Sequence, residues 1–150
     1  MFSIMSIIIN FKNISTLTFI INYSYNDFII KIFNEIYKQK EDTVLLLIGV
    51  GPDEYKIRKM VKEYNLEKCV KFLGSRDDIP EIMQAMDIFL FPSLFEGLSV
   101  VLVEAQAAGV RIYTSEEKVT KEAIVDIDNI NFISLKEHEI VWARKIIEDN

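Results

Sequence analysis

The apolar positions of this chain recur with two alternating periods, and the alternation lays out its elements. Phe28, Ile29, Ile32, Phe33, Ile36 and Tyr37 stand at helical spacing, which predicts a helix with one face against a core. Asn26 or Asp27 can cap it, and Lys38 and Lys40 begin a polar exit. Val44 to Ile48 is an unbroken apolar run, read as a strand buried on both faces. Gly49-Val50-Gly51-Pro52 follows at its carboxyl end and turns the chain into a helix starting at Pro52 or Asp53. Ile57, Met60, Val61 and Tyr64 give that helix its core face. Cys69 to Leu73 is the next strand, ended by Gly74, and Asp78 caps a short helix with Ile79 and Pro80 in its first turn. Ile82, Met83 and Met86 pack that helix.

Asp87 to Phe91, rich in aromatics, reads as a buried strand stopped by Pro92 and Ser93. A helix follows, loosened by Gly97 before its start, capped by Ser99 and closed by Gly109. Val110 to Thr114 is a strand, Ser115 to Lys118 a polar loop, and Val119 to Val125 a helix. Asn131 to Leu135 reads as an edge strand, and Glu137 to Glu148 as a terminal helix. Ile140, Ala143 and Ile147 line one side of that helix, with Trp142 and Ile146 widening it. Strand and helix alternate throughout. That order predicts an α/β fold, a parallel sheet with helices on both faces joined by right-handed crossovers. Ligands bind such sheets at the carboxyl ends of the strands, where the loops after Ile48, Leu73 and Phe91 meet.

Residues 1–25 are set apart as an irregular, strand-like segment, and 26–150 as the domain. Met1 to Ile9 is apolar, but it lacks a basic flank and a small-residue cleavage site, and Asn10 and Lys12 interrupt it. It is also too short to span a bilayer. A strand followed by a second apolar run, Leu17 to Ile21, is the better reading, and membrane contact is disfavoured.

Composition narrows the function. The chain has 150 residues, half of them apolar and 27% charged, as in one globular domain. A net charge of −6 argues against a nucleic-acid partner. The single cysteine, Cys69, excludes an internal disulfide, fits a reducing compartment and reads as a buried strand residue. The single histidine, His138, has no second ligand nearby, so no metal site is expected.

The candidate chemistry lies around the turn after Phe91. The turn brings free backbone N–H groups and the positive end of a helix to the carboxyl edge, a seat for a phosphate. Glu96 lies before the helix and Glu104 eight positions on, inside it. A carboxylate accepts both hydroxyls of a diol, so a ribose could meet Glu104 and another polar group Glu96. Spacing alone equally allows a solvated loop residue and an exposed helical one. Gly49-Val50-Gly51 is no dinucleotide fingerprint, because the third glycine slot holds Glu54 and Pro52 intrudes.

Glu96-Gly97-Leu98 through Glu104-Ala105-Gln106-Ala107-Ala108-Gly109 resembles the E-x7-E signature of GT-B glycosyltransferases of group 1. Phe91-Pro92-Ser93 and Gly74-Ser75-Arg76-Asp77-Asp78-Ile79-Pro80 match the same family, and the likeness runs from about Asp27 to the C-terminus. It implies a Rossmann-like sheet forming one GT-B half, the C-terminal domain that binds a nucleoside-diphosphate sugar. By this likeness Glu104 binds the ribose hydroxyls and Glu96 contacts the donor sugar. Gly97, Leu98 and Ser99 meet the diphosphate through their backbone, and Arg76 lies by the nucleobase. The bland alternative pairs Arg76 with Asp77 or Asp78. By the resemblance, transfer would proceed with retention and without cofactor or metal, and the expected setting is a cytoplasmic polysaccharide or glycolipid pathway.

Two departures stand out. The family's arginine and lysine on the first loop have no counterpart in Thr18 to Asn26, which holds no basic residue. The acceptor-binding half is also missing from the likeness. The expectation is therefore an incomplete donor-binding domain, inactive or weakly active alone, whose acceptor domain could come from a second chain. The alternative is a catalytically inactive remnant acting as a partner-binding module. A different nucleotide-binding α/β protein, such as a sugar epimerase, is a third reading, disfavoured because neither a catalytic Tyr-x-x-x-Lys pair nor a G-x-G-x-x-G is expected.

Overall fold

The computed structural model of the chain describes residues 26–92, 100–116, 124 and 128–150, and the backbone of 15–20. Among the described residues, six strands form one sheet: β1 (Ser15–Ile20), β2 (Thr43–Ile48), β3 (Val70–Gly74), β4 (Ile88–Phe91), β5 (Arg111–Ser115) and β6 (Ile130–Ile133). Five helices connect or cover them: α1 (Asn26–Tyr37), α2 (Glu54–Glu63), α3 (Ile79–Gln84), α4 (Val100–Ala107) and α5 (Glu139–Glu148). Every strand pair is parallel. The order is β3-β2-β1-β4-β5-β6, so the chain winds outward from β1 in one direction and then from β4 in the other. Right-handed crossovers of opposite direction place α1 and α4 on opposite faces of the sheet.

Burial on two faces dictates the apolar runs. All four residues of β4 are buried, and Phe89 and Phe91 stack on one face with ring centroids 5.5 Å apart. On α1, Ile29, Ile32, Phe33 and Ile36 are buried as their spacing requires, and Ile30 joins them. α1 also packs against a second helix, α5. Phe28 meets Trp142 of α5 edge to face at 5.8 Å, and the Trp142 indole N–H donates to the Ser134 carbonyl at 3.1 Å.

Several expectations change. Ser15–Ile20, inside the segment set apart from the domain, pairs with both β2 and β4 and so belongs to the sheet. On α5 the buried residues are Trp142, Ala143 and Ile146, while Ile140 is exposed, because packing on α1 turns the tryptophan side inward. Ser115 is strand rather than loop and is fully buried. The helix expected over Val119 to Val125 lies outside the described residues, apart from Ile124.

Tyr64 does not face the core. It caps the end of α2, where Asn65 turns left-handed at φ 58°. The Leu66 N–H then reaches the Val61 carbonyl and the Asn65 N–H the Lys62 carbonyl. That pattern satisfies the last carbonyls and buries Leu66 against the helix. α4 closes in the same way. Gly109, at φ 72°, donates to the Gln106 carbonyl and Val110 to the Ala105 carbonyl.

Cys69 is buried beside the start of β3, its thiol donating to the Leu66 carbonyl at 3.3 Å. Burial pushes its pKa up. Iodoacetamide should therefore leave Cys69 unmodified in the native chain and label it fully in denaturant, as read by mass spectrometry. Gly109→Ala meets no atom within 4 Å, so only the left-handed backbone opposes it. Denaturant unfolding should show a loss of about 1–2 kcal/mol.

Candidate functional site at the carboxyl edge

The strand register brings three exits side by side. Ile20 of β1 pairs with Ile48 of β2, and Phe19 with Leu90 of β4. The loop after β2 is fixed to the loop after β3 by the Gly49 N–H, which donates to the Gly74 carbonyl at 2.6 Å. Gly49 has φ 119°, a conformation that L side chains rarely adopt, which accounts for a glycine there. At the exit of β4, the buried Thr114 hydroxyl donates to the Phe91 carbonyl at 2.8 Å. That bond holds the last carbonyl before Pro92, where the chain leaves the sheet.

Glu96, Gly97, Leu98 and Ser99 lie outside the described residues. α4 is described from Val100, whose side chain is 64% exposed. Glu104 stands one turn further along, on the same exposed face as Val100 and Ala107. The opposite face buries Leu102, Ala105 and Gln106, and the Gln106 amide donates back to the Leu102 carbonyl at 2.9 Å. Among the described residues Glu104 joins no ion pair.

Arg76 follows β3 and is held by Asp78. Its Nε donates to one carboxylate oxygen at 2.7 Å and its Nη2 to the other. The bonded guanidinium lowers the Asp78 pKa, and the carboxylate raises that of Arg76. Asp78 occupies the cap position of α3 but makes no side-chain cap bond, because it is engaged by the arginine. A guanidinium gripped along one edge keeps its flat faces for a planar ring.

Two features of this edge escaped the sequence. Asn26, the first residue of α1, is only 6% exposed, and among the described residues neither its Nδ2 nor its Oδ1 has a hydrogen-bond partner. Leaving such an amide unpaired costs about 1–3 kcal/mol. From sequence it could only be read as a helix cap. Lys56, in the first turn of α2, reaches the first turn of α1, where its Nζ lies 2.5 Å from Asp27 Oδ2. No local pattern announces a pair 29 positions apart.

Other groups are spoken for. His138 Nδ1 accepts the Ile140 N–H at the start of α5, beside Glu139. Among the described residues no three acidic, histidine or cysteine side chains gather to hold a metal, and no helix is long and apolar enough to cross a membrane. The spacing Tyr-x-x-x-Lys does occur, at Tyr55 to Lys59 and at Tyr64 to Lys68. Tyr55 is 81% exposed and Lys59 pairs with Glu63, so the first has no enclosed catalytic setting. Tyr64 of the second also lies at the surface. A polar cavity of about 480 Å³, lined by Asp87, Gly109, Arg111, Asn129 and Asn150, opens at the amino edge, away from the strand exits.

With this geometry in place, the comparisons with known proteins converge. Residues 20–148 match the family described as glycosyl transferases group 1. EpsF of Bacillus subtilis, named as a glycosyltransferase, is 40% identical over 102 residues, covering 68% of this chain and 26% of its own length. The C-terminal domain of the group 1 glycosyl transferase LpcC from Francisella tularensis superposes with a TM-score of 0.70 at 24% identity, over 83% of this chain and 67% of that domain. Anabaena HepE, solved in complex with UDP-glucose, gives a TM-score of 0.65 at 26% identity, over 79% of this chain and 35% of its own. The chain thus spans about a quarter of the length of the curated relative EpsF. The doubly wound sheet, the exposed Glu104 on the helix after β4 and the match over 20–148 agree, and the chain belongs to the group 1 glycosyltransferases, as a C-terminal GT-B domain.

Proposed function

We propose that this domain binds the nucleoside-diphosphate sugar for a retaining glycosyl transfer in a cytoplasmic polysaccharide or glycolipid pathway, without cofactor or metal. The observation that carries this reading is the reversal of strand order between β1 and β4, with Glu104 exposed one turn into the helix that leaves that crevice. Open parallel sheets take nucleotides there. A carboxylate about 6 Å along the axis from the helix start suits a ribose diol once a phosphate sits on the helix end. The diphosphate meets the backbone at Gly97, Leu98 and Ser99, Glu96 contacts the donor sugar, and Arg76 lies beside the base. The UDP-glucose bound by the Anabaena relative supports a uridine diphosphate donor.

Transfer also needs a facing half that positions the acceptor and excludes water. A second chain supplying that half is part of the proposal, with this domain alone binding donor but turning over little. The absence of a basic residue in Thr18 to Asn26 favours a second reading, a silent module that only binds a partner. Calorimetric titration with UDP and GDP separates the two. The donor domain binds one of them, and Glu104→Ala weakens that binding about ten- to a hundredfold, the loss of charge-assisted hydrogen bonds to two hydroxyls. Equal affinity of parent and variant would remove Glu104 from the site, and no binding at all would leave the silent module.

A further inference from the structure

We infer that Asp78 is a positioning residue for nucleobase recognition: its carboxylate grips one edge of Arg76 and aims the free edge and flat faces of that guanidinium at the base. This inference rests on the donor-binding reading above, in which Arg76 lies beside the base, and adds to it the group that orients Arg76.

The geometry of the pair is the first ground. Arg76 Nε donates to Asp78 Oδ1 at 2.7 Å and Nη2 donates to Oδ2, a two-pronged grip that fixes the plane of the guanidinium. Neither bond uses Nη1. The edge turned away from Asp78 therefore keeps N–H donors for the carbonyl oxygens or ring nitrogens of a base.

The second ground is what Asp78 gives up. It stands at the cap position of α3, where an aspartate side chain can accept a first-turn N–H, and it makes no such bond. The pair that replaces the cap is exposed, at 43% for the Arg76 side chain and 37% for that of Asp78. Exposed ion pairs contribute little to stability, and a helix cap contributes more. Stability therefore does not account for the exchange. Ordering a long side chain in advance does, because a ligand that meets a disordered one bears the cost of immobilising it.

The backbone supports the same reading. Leu47 of β2 faces Phe72 of β3, but Ile48 faces Gly74, so the pairing slips past Leu73 at the end of β3. Gly74, at φ 64°, has its carbonyl taken by the Gly49 N–H at 2.6 Å. Arg76 comes two residues later, and Asp78 opens α3. The short loop is held by the sheet at one end and by a helix at the other, and the ion pair closes across it.

Charge separates Asp78 from its neighbour. Asp77 also acts on Arg76 through space, yet among the described residues it makes no hydrogen bond to it. Either carboxylate repels an anionic ligand, so a charge effect alone predicts tighter binding when either is neutralised. Positioning predicts the opposite sign, and at Asp78 only.

The test measures UDP and UMP affinities by calorimetry, or GDP and GMP where the parent chain prefers guanine, with thermal melts of each unliganded variant. Asp78→Asn keeps the size and the capping ability and loses the charged two-pronged grip. Its melting midpoint should stay within about 2 °C of the parent. UDP affinity should fall about three- to tenfold, the effect of ordering one long side chain only on binding. UMP, which keeps the base, should lose the same factor. Arg76→Ala should weaken UDP at least as much, and adding Asp78→Asn to it should change affinity by less than about twofold. Asp77→Asn removes the same charge one position away and should bind UDP as tightly as the parent or more so. Asp78→Ser, another capping residue, decides the matter if the asparagine variant does not fold.

An Asp78→Asn chain, or failing that the serine variant, that binds UDP within about twofold of the parent overturns the inference. So does a further loss when Asp78→Asn is added to Arg76→Ala, which marks a role independent of the arginine. A loss for UDP with UMP unchanged sets Arg76 on a phosphate and overturns it too. If Glu104→Ala weakens UDP binding and the Asp78 variants do not, this inference alone fails. A parent chain that binds neither UDP nor GDP takes down both.

Discussion

Parallel pairing of β1 with β2 on one side and β4 on the other is the constraint on which the rest of the structure depends. A parallel sheet cannot be joined by tight hairpins, so each connection must cross over a face, and both faces must be covered. The uninterrupted apolar character of β4 and the heavy burial of β2 follow from that. On α1, Phe28 meets Trp142 of α5 edge to face, which joins the two helices. The strand order reverses between β1 and β4, and Arg76 and Glu104 belong to segments that follow the carboxyl ends of strands.

The two edges of the sheet are built differently. At the amino edge, groups bond to one another. Arg111 donates to the Asp149 carbonyl and to Asn150 Oδ1, and the Tyr113 hydroxyl donates to Asp149 while accepting from Asn150. Burial, and next the Asp149 carboxylate, drive the Tyr113 pKa well above the usual phenol range. These contacts tie the last residues of α5 to β5. At the carboxyl edge the backbone is pinned, by Gly49 to Gly74 and by Thr114 to Phe91, and among the described residues the Asn26 amide has no partner.

An acidic protein must still accept an anion if it is to hold a nucleotide. The net charge of −6 is a property of the whole surface, whereas a phosphate in a crevice feels mainly what lies within a Debye length. There, Asp27 is matched by Lys56 and Asp78 by Arg76. Such exposed pairs contribute little to stability, a median of about 0–1 kcal/mol. Their consequence is electrostatic: each sets a cation beside a carboxylate at the carboxyl edge of the sheet.

Periodicity and turn chemistry alone determined much of this protein. The stripe of α1, the solid apolar runs of β2 and β4, and Gly109 as the residue past α4 are local signals, because side-chain spacing and backbone permissiveness act over a few residues. The Glu96 to Glu104 spacing and its flanking strand were legible for the same reason. What faces what was not. The place of Ser15–Ile20 at the centre of the sheet depends on partners far along the chain. Likewise, the inward turn of Trp142 follows from α1, the pairing of Arg76 with Asp78 rather than Asp77 from the turn into α3, and the burial of Asn26 from the layers around it. Burial and charge neutralisation are set by surroundings in space, and those came into being only when the tertiary structure brought distant segments together.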